Sequence, residues 1–397
     1  MSEQSLTLRE FSHIPRRIGP KVQERINALK IGQKMQDLPE ELWHESFRYY
    51  VKEAPNRNGG PNLRLLRLDP KQPSLTVTGF IFNKFVHPLE NRYITPREAA
   101  RLQGFPDDFI FLGSLTSIQR QIGNAVPVQL ASAVTNSVLG HIERHRPFGL
   151  GEKVYGNGRF PALSLFSGAG GMDLGVLRAK RENLVFDIHA GVEFDHDCCE
   201  TLRNNFGEGM KIVETDILRF DSKNALDLRD IRNDLLPLVI GGPPCQAFSQ
   251  AGKQKGVLDE RGRLIFEFLR FVRELQPVYF VMENVSNLRG VAKGRLFREI
   301  REQIDRIGYN STCNLLCAAD YGTAQLRKRL FFIGVRKPYP PVHPPLPTHG
   351  DVRKDIFVKK PYIGVGEAFR GLPSLTNVDL NSRIKLDLSR NWAARHR

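Results

Sequence analysis

A cysteine follows a rigid turn in the segment LVIGGPPCQAFSQAG. The apolar run that ends at Ile240 predicts a buried strand, and Gly-Gly-Pro-Pro then forces an abrupt exit that carries Cys245 at the carboxyl edge of a sheet. A thiol there can act as a nucleophile when nearby cations lower its pKa. A lone cysteine is more often a small buried residue, but the polar Gln246, Ser249 and Gln250 that follow argue against burial.

A carboxylate and two arginines flank two other apolar runs. VYFVMENVSNL leads a predicted strand into Glu283 and Asn284, where a buried carboxylate is costly unless it is paired or used. ADYGTAQLRKRLFFIGV places Gln325, Arg327 and Arg329 before another strand, and period-two spacing puts both arginines on one face. By themselves the arginines fit a solvated strand start equally well. Beside the cysteine, they complete a nucleophile, an acid and two cations.

A glycine cluster indicates a ligand-binding turn. SLFSGAGGMDLG places Gly168, Gly170 and Gly171 where a first strand turns into a helix, so a ligand can approach the backbone and face the helix N-terminus. One strand later come Glu193, a carboxylate positioned to hold a ribose hydroxyl, and Phe194, a ring that can stack on adenine. The pattern fits a dinucleotide, S-adenosylmethionine or a plain tight turn.

These candidates need a sheet whose strand ends meet at one edge. From PALSLF onward, short apolar runs alternate with charged helical stretches, which predicts an α/β fold with a doubly wound, mainly parallel sheet. The flanks are rich in Pro, Arg and Asn and predict a smaller, irregular lobe. We predict that residues 1–80 form part of that lobe and that residues 81–141 complete both the lobe and the catalytic domain. Residues 142–160 would be a linker, residues 161–340 the catalytic domain, and residues 341–397 a connection back into the lobe.

Composition narrows the classes of protein. The 397 residues are 41% hydrophobic and 25% charged, as in a globular protein, and their length suggests two domains. No apolar run is long enough to span a membrane, and the first residues lack a signal-peptide core, so we expect neither insertion nor export. The five cysteines lack zinc-site spacing, which predicts no metal and a reducing cytoplasm.

The positive charge is unevenly distributed. Lys and Arg number 58 against 43 Asp and Glu, a net charge of +15 that suits a polyanionic partner. Residues 1–80 carry +4 and residues 336–397 carry +7, which leaves +4 for the 255 residues between them. The excess therefore lies in the two flanks of the predicted sheet.

Taken together, the motifs resemble the cytosine-5 DNA methyltransferase family. The matching blocks are FSGAGG, PPCQ, DERGRLIFEFLR, ENV and QLRKR. RYITPREAARLQGFPDDF (92–109) and QIGNAVP (121–127) also match, but in the family they normally close the chain, whereas here they come first. The resemblance is therefore to a circularly permuted member of restriction–modification type. Such a fold would join the two basic flanks in one DNA-facing lobe.

The resemblance implies a site for S-adenosyl-L-methionine. Its fold would be that of the S-adenosylmethionine-dependent methyltransferases, with a catalytic set of Cys245, Glu283, Arg327 and Arg329. The residues expected around the cofactor are Phe166, Gly168, Gly170, Gly171, Glu193, Phe194, Asp216, Ile217, Pro244, Leu264, Asn124 and Val126. Those expected at the substrate are Gln246, Ser249, Asn284 and Gln325.

The resemblance also implies partners. The substrate would be double-stranded DNA, methylated at one short site to protect the host from a cognate restriction endonuclease. We expect a monomer in the prokaryotic cytoplasm, associated with the nucleoid. Two alternatives stay open: a tRNA cytosine-5 methyltransferase, and a non-catalytic DNA-binding relative, against which the intact Cys245 and Glu283 speak.

Overall fold

The computed structural model describes residues 12–13, 15–53, 65–79, 84–150, 158–222, 224, 235–244, 257–352 and 360–375, without the side chains of 257–261. The helices are α1 (Pro20–Ala28), α2 (Glu45–Lys52), α3 (Pro96–Leu102), α4 (Leu115–Asn124), α5 (Val128–His145), α6 (Gly171–Arg178), α7 (His196–Phe206), α8 (Val257–Leu275), α9 (Arg295–Arg306) and α10 (Val365–Ala368). The strands are β1 (Leu66–Arg67), β2 (Phe85–Val86), β3 (Arg159–Leu165), β4 (Val185–Glu193), β5 (Lys211–Glu214), β6 (Leu238–Gly241), β7 (Tyr279–Val285), β8 (Tyr309–Cys317), β9 (Lys328–Arg336), β10 (His349–Gly350) and β11 (Lys360–Pro361). In the described part, no helix has the length and apolarity needed to cross a membrane.

The chain divides into two compact units. The first unit comprises 1–124, 323–326 and 361–397, and the second comprises 125–322 and 327–360. The predicted segment 81–141 is therefore split, because its last helix belongs to the second unit. That helix, α5, continues to His145, so the joint predicted at 142–160 begins later than expected.

A seven-stranded sheet forms the second unit, in the order β5-β4-β3-β6-β7-β9-β8. The pairs from β5 across to β7 are parallel, and β9 runs antiparallel to both β7 and β8. The prediction of an α/β fold with a mainly parallel sheet is confirmed. Because β3 to β7 are parallel, their carboxyl ends share one edge, and the antiparallel β9 begins at that same edge.

Both faces of this sheet are buried. On β7, Tyr279 and Val281 join a core with α5 and α6, while Phe280 and Met282 join a second core with α8 and α9. Side chains of a strand alternate between the faces, so continuous apolar runs are required when helices cover both sides. This double burial explains why the strands could be recognised in the sequence.

A glycine sets the close approach of α5 to α6. A Cβ atom at Gly175 would lie 2.5 Å from the Cβ of Ala131 and 2.6 Å from the carbonyl oxygen of Val128. The segment after QIGNAVP thus packs on the helix that follows β3.

The first unit contains more regular structure than its sequence predicted. Helices α1 and α2 lie in the region 1–80, where weak periodicity suggested an irregular lobe. Each helix is short and buries only one side chain fully, Ile26 and Phe47 respectively. So few buried positions give little apolar periodicity from which a helix can be predicted.

A buried polar cluster ties distant parts of the first unit together. The ring of His13 bonds through Nδ1 to the hydroxyl of Thr95 at 2.9 Å and through Nε2 to the carbonyl of Pro373 at 2.9 Å. The carboxylate of Glu98 receives two bonds from the Arg92 guanidinium, at 2.7 and 2.9 Å. Segments 360 residues apart in sequence therefore meet at one site.

Replacing Gly175 by alanine should destabilise the protein. The added methyl group has no room against α5, and overpacking of this kind costs about 1–3 kcal/mol. Urea unfolding measures the change. Gly209→Ala is the matched control, because a Cβ there meets nothing within 4 Å. Equal stability of the two variants would contradict the close α5–α6 packing.

Candidate active site

Strand pairing brings a carboxylate and an arginine together at the carboxyl edge. β7 and β9 are antiparallel, with Val285 opposite Arg329 and Glu283 opposite Phe331. The Nε of Arg329 lies 2.9 Å from Oε1 of Glu283, and only 9% of Glu283 is exposed. The cost of burying the carboxylate is thus offset by a charged hydrogen-bond donor.

Burial sets the protonation behaviour of this group. It raises the pKa of Glu283 above the ordinary glutamate range, and the nearby Arg329 and Arg327 oppose that rise. Burial also lowers the pKa of the Arg327 guanidinium to about 9, and Arg327 is only 1% exposed. A carboxyl group whose pKa is raised in this way is better able to carry a proton near neutral pH.

The turn before the predicted nucleophile lies next to Glu283. β6 pairs with β7 as far as Gly241 opposite Met282, and a Cβ at Gly242 would lie 3.2 Å from Oε2 of Glu283. The side-chain amide of Asn284 donates to the carbonyl of Pro243 at 3.0 Å. Asn284, predicted at the substrate, therefore buttresses the proline turn through Pro243.

Three predicted residues cannot be placed. Cys245, Gln246 and Ser249 lie outside the described residues. Their assignment stays a prediction, supported by the position of Pro244, whose exposed side chain immediately precedes the cysteine.

Gln325 has internal partners. Its amide nitrogen donates to the carbonyl of Leu102 at 3.0 Å and to Oε1 of Gln103 at 2.8 Å, and its oxygen accepts from the Val77 backbone at 2.7 Å. The residue belongs to the first unit and is fully buried. The structure therefore gives this predicted substrate residue a role in holding three segments of that unit together.

The glycine turn and Glu193 form one hydrogen-bonded structure. Oε2 of Glu193 accepts from the backbone of Gly168 at 2.8 Å, and Oε1 accepts from the backbones of Phe194 and Asp195, both at 2.9 Å. The carboxylate is thus fixed at the end of β4. Phe194 presents a ring that is 73% exposed, although an aromatic side chain of this size is usually buried.

The backbone of the turn is adapted to a close approach. Phe166 has a φ of +55°, which is uncommon for an aromatic residue and is typical of strained functional positions. Gly168 has a φ of +54° with open space where a side chain would be. Gly170, also left-handed, precedes α6, which begins at Gly171.

Some of the other predicted cofactor residues are exposed, and others are buried. Asp216 is exposed just after β5, while Ile217, Val126 and Leu264 are wholly or partly buried around the sheet. Asn124, exposed at the end of α4, belongs to the first unit. The fixed carboxylate, free aromatic ring and open glycine turn fit an adenosyl cofactor.

Within the described residues, no three His, Cys, Asp or Glu side chains could hold a metal ion.

One residue of this turn could not be recognised from sequence. Asp173 lies in the first turn of α6, is fully buried, and has no hydrogen-bond partner for either carboxylate oxygen among the described residues. Burial raises its pKa to about 7. An acidic residue in the first turn of a helix ordinarily indicates a favourable exposed charge, so this burial could not be predicted from the sequence.

The sheet, with its antiparallel β9 and glycine turn, defines the fold of an S-adenosylmethionine-dependent methyltransferase. The sequence model of the C-5 cytosine-specific DNA methylases matches residues 7–140 and 160–390, so the chain belongs to this family. The resemblance to this family is thereby confirmed, while the circular permutation stays a prediction.

Curated relatives agree with this assignment. The type II methyltransferase M.AquIA of Picosynechococcus is 40% identical over 230 residues, which are 54% of this chain and 89% of the relative. M1.HphI of Haemophilus parahaemolyticus is 40% identical over 56% of this chain and 55% of its own length, and M.FnuDI of Fusobacterium nucleatum is 39% identical over 44% and 46%. The chain thus spans most of M.AquIA and about half of the other two.

Neutralising Asp173 should stabilise the protein in a pH-dependent way. Its pKa in the folded state, about 7, exceeds the value of 3.8 expected after unfolding, so the folded state loses stability as pH rises between those values. The advantage of Asp173→Asn over the wild type should therefore grow by about 1 kcal/mol from about pH 6 to about pH 8. Urea unfolding at both pH values tests this, with exposed Asp108→Asn as control. A gap that does not change with pH would contradict the raised pKa.

Proposed function

We propose that the protein methylates C5 of a cytosine within a short duplex DNA site, using S-adenosyl-L-methionine, and so protects host DNA from a cognate restriction endonuclease. The observation that carries the proposal is the buried Glu283–Arg329 pair. This pair lies next to Gly242, which precedes Cys245 by three residues. An acid and a nucleophile on neighbouring strand ends are what attack on a cytosine ring requires.

The reaction begins with the cysteine. C5 of cytosine is a poor nucleophile, so electrons must first be added to the ring. The thiolate of Cys245 forms a bond to C6, and the C5–C6 π electrons move into the ring toward N3. Glu283 gives its proton to N3 and neutralises the developing charge, which its raised pKa favours. C5 thereby becomes an enamine carbon that can accept a methyl group.

The second half of the cycle restores the aromatic ring. When bound, S-adenosyl-L-methionine would supply the methyl group to C5 and leave as S-adenosyl-L-homocysteine, which keeps the electron pair of the broken carbon–sulfur bond. A base then removes the C5 proton, the electrons of that bond form the C5–C6 double bond, and the Cys245 thiolate leaves. The N3 proton returns to Glu283. Arg329, which pairs with Glu283, would reach the cytosine O2, and Arg327 would contact the sugar-phosphate or the cysteine loop.

The cofactor would be held by the ends of β3, β4 and β5. Glu193 would bind the ribose hydroxyls, and Phe194 would stack on the adenine. Asp216 and Ile217, which follow the next strand, would lie against the adenine. The open turn at Gly168 would admit the amino-acid part. These groups orient the methyl donor, while the acid and nucleophile come from β6 and β7.

The substrate must be unstacked to reach these groups. A cytosine inside a duplex presents only its edges, so the enzyme must flip it out at a cost of a few kcal/mol. DNA of defined sequence is the partner that the type II names of the relatives support. The companion endonuclease, a monomeric state and a place in the prokaryotic cytoplasm are parts of the same proposal.

We also propose that the chain is a circular permutation of the usual family order. α5, from the N-terminal half, packs on α6 after the first strand of the sheet. In the first unit, His13 contacts Pro373, and Glu90 accepts from the backbone of Leu375 at 3.2 Å. Neighbouring positions for distant chain segments are the condition under which permutation is tolerated.

Replacing either catalytic group should stop methyl transfer but leave cofactor binding intact. Cys245→Ser removes the nucleophile and should abolish transfer. Glu283→Gln removes the proton donor and should lower kcat by about 10²- to 10⁴-fold. Tritium transfer from labelled S-adenosylmethionine to duplex DNA and to tRNA measures both, with exposed Glu208→Gln as control.

The substrates separate the alternatives. Label on tRNA and none on DNA would favour a tRNA methyltransferase. No label on either, with duplex binding retained, would indicate a non-catalytic DNA-binding relative. Full activity of Cys245→Ser would refute its role as the nucleophile.

Rejoining the chain in the family's usual order should preserve activity. The rearranged gene would begin at Gly158, connect residue 397 to residue 1 through a short flexible linker and end at Leu150. Because α5 and α6, and His13 and Pro373, would keep their contacts, we expect the same site to be methylated. An insoluble or inactive product, with the original order active in parallel, would contradict the permutation.

A further inference from the structure

The segment after Glu283 carries an unusual concentration of positive charge. From Asn284 to Arg298 there are four basic and no acidic side chains: Arg289, Lys293, Arg295 and Arg298. All four are exposed, and we call them the basic strip. The basic strip lies in the second unit, within the middle 255 residues of the chain, which carry a net charge of only +4.

The strip lies at the edge of the sheet where the reaction takes place. β7 ends at Val285, opposite Arg329, and the chain continues through Ser286–Gly294 into the first turn of α9. The strip therefore begins four residues beyond the carboxyl end of β7 and lies on the connection that leaves the catalytic edge.

The strip is not neutralised internally. Within the described part of the chain, Lys293, Arg295 and Arg298 form no ion pair. The C-terminal half of the same helix differs, since Arg306 pairs with Glu302 at 3.0 Å and Asp305 pairs with Lys337 at 2.8 Å. The two ion pairs that involve this helix thus lie in its C-terminal half, away from the strip.

The backbone that carries the strip is held in an unusual form. Ala292, Lys293 and Gly294 are consecutive left-handed residues, with φ of +50°, +56° and +80°. Two of them are not glycine, and such strain is typically retained at functional sites. Arg289 anchors the segment by donating to the carbonyl of Cys313 at 3.4 Å and by lying over the ring of Phe297.

We propose that the basic strip binds DNA phosphates on either side of the flipped cytosine, independently of sequence. The inference rests on the proposed function. A cytosine held at Glu283 stays attached to its strand, so the adjoining phosphates must pass over the surface around the strand ends. Cationic side chains there neutralise phosphates and release counterions.

The test measures binding to a random-sequence duplex at a series of salt concentrations, by fluorescence anisotropy with full-length protein. The triple variant Lys293→Gln, Arg295→Gln, Arg298→Gln should bind more weakly. Its slope of log affinity against log salt should be smaller by about three, one per lost phosphate contact. Arg289 is kept because it packs on Phe297.

A matched variant removes the same charge elsewhere. Arg178, Lys180 and Arg306 are exposed at the C-terminal ends of α6 and α9, toward the opposite edge of the sheet. Their replacement by glutamine should leave the wild-type slope nearly unchanged. Melting temperature and cofactor affinity, measured for both variants, should match the wild type and so exclude unfolding as the cause.

The outcomes distinguish the two proposals. Equal slopes for the two triple variants would overturn the proposal that the basic strip binds DNA phosphates, while leaving the proposed methyltransferase function intact. A slope that is reduced with tRNA but not with duplex DNA would have the same meaning. Wild-type protein that neither binds nor methylates duplex DNA would overturn both.

Discussion

The pairing of β7 with β9 is the constraint on which the catalytic edge depends. Ionising a carboxylate that is only 9% exposed is costly, and the antiparallel register supplies Arg329, which offsets part of that cost for Glu283. Had β9 run parallel like its neighbours, its first residues would lie at the opposite edge. The one reversed strand is therefore what places a cation next to the acid.

The same register organises the turn that leads to the proposed nucleophile. β6 pairs with β7 as far as Gly241 opposite Met282, so Gly242 comes beside Glu283, and the missing side chain leaves room for the carboxylate. Asn284 then fixes the Pro243 carbonyl. Acid and proline turn are thus positioned by backbone pairing, which is more rigid than a contact between flexible loops.

The sheet and its strand-end residues were predictable because burial on both faces produces continuous apolar runs. Glu193, Glu283 and Arg329 stand where such runs stop or start, so their positions followed from the pattern. The partners of Gln325 and the burial of Asp173 could not be predicted from this pattern. The partners of Gln325 are 222 and 223 residues away in sequence, and the burial of Asp173 depends on tertiary packing around α6. Local pattern carries no information about either.

Helix α9 has a further electrostatic property. Its backbone dipole is positive at the N-terminus, and the uncompensated Arg295 and Arg298 lie at that same end, while the opposite end holds ion-paired side chains. The two contributions point in the same direction and reinforce one another. A field of this kind extends beyond contact distance and raises the rate at which a polyanion arrives in the correct orientation. We therefore expect the helix to act on the encounter with a polyanion before any atom of the catalytic edge is touched.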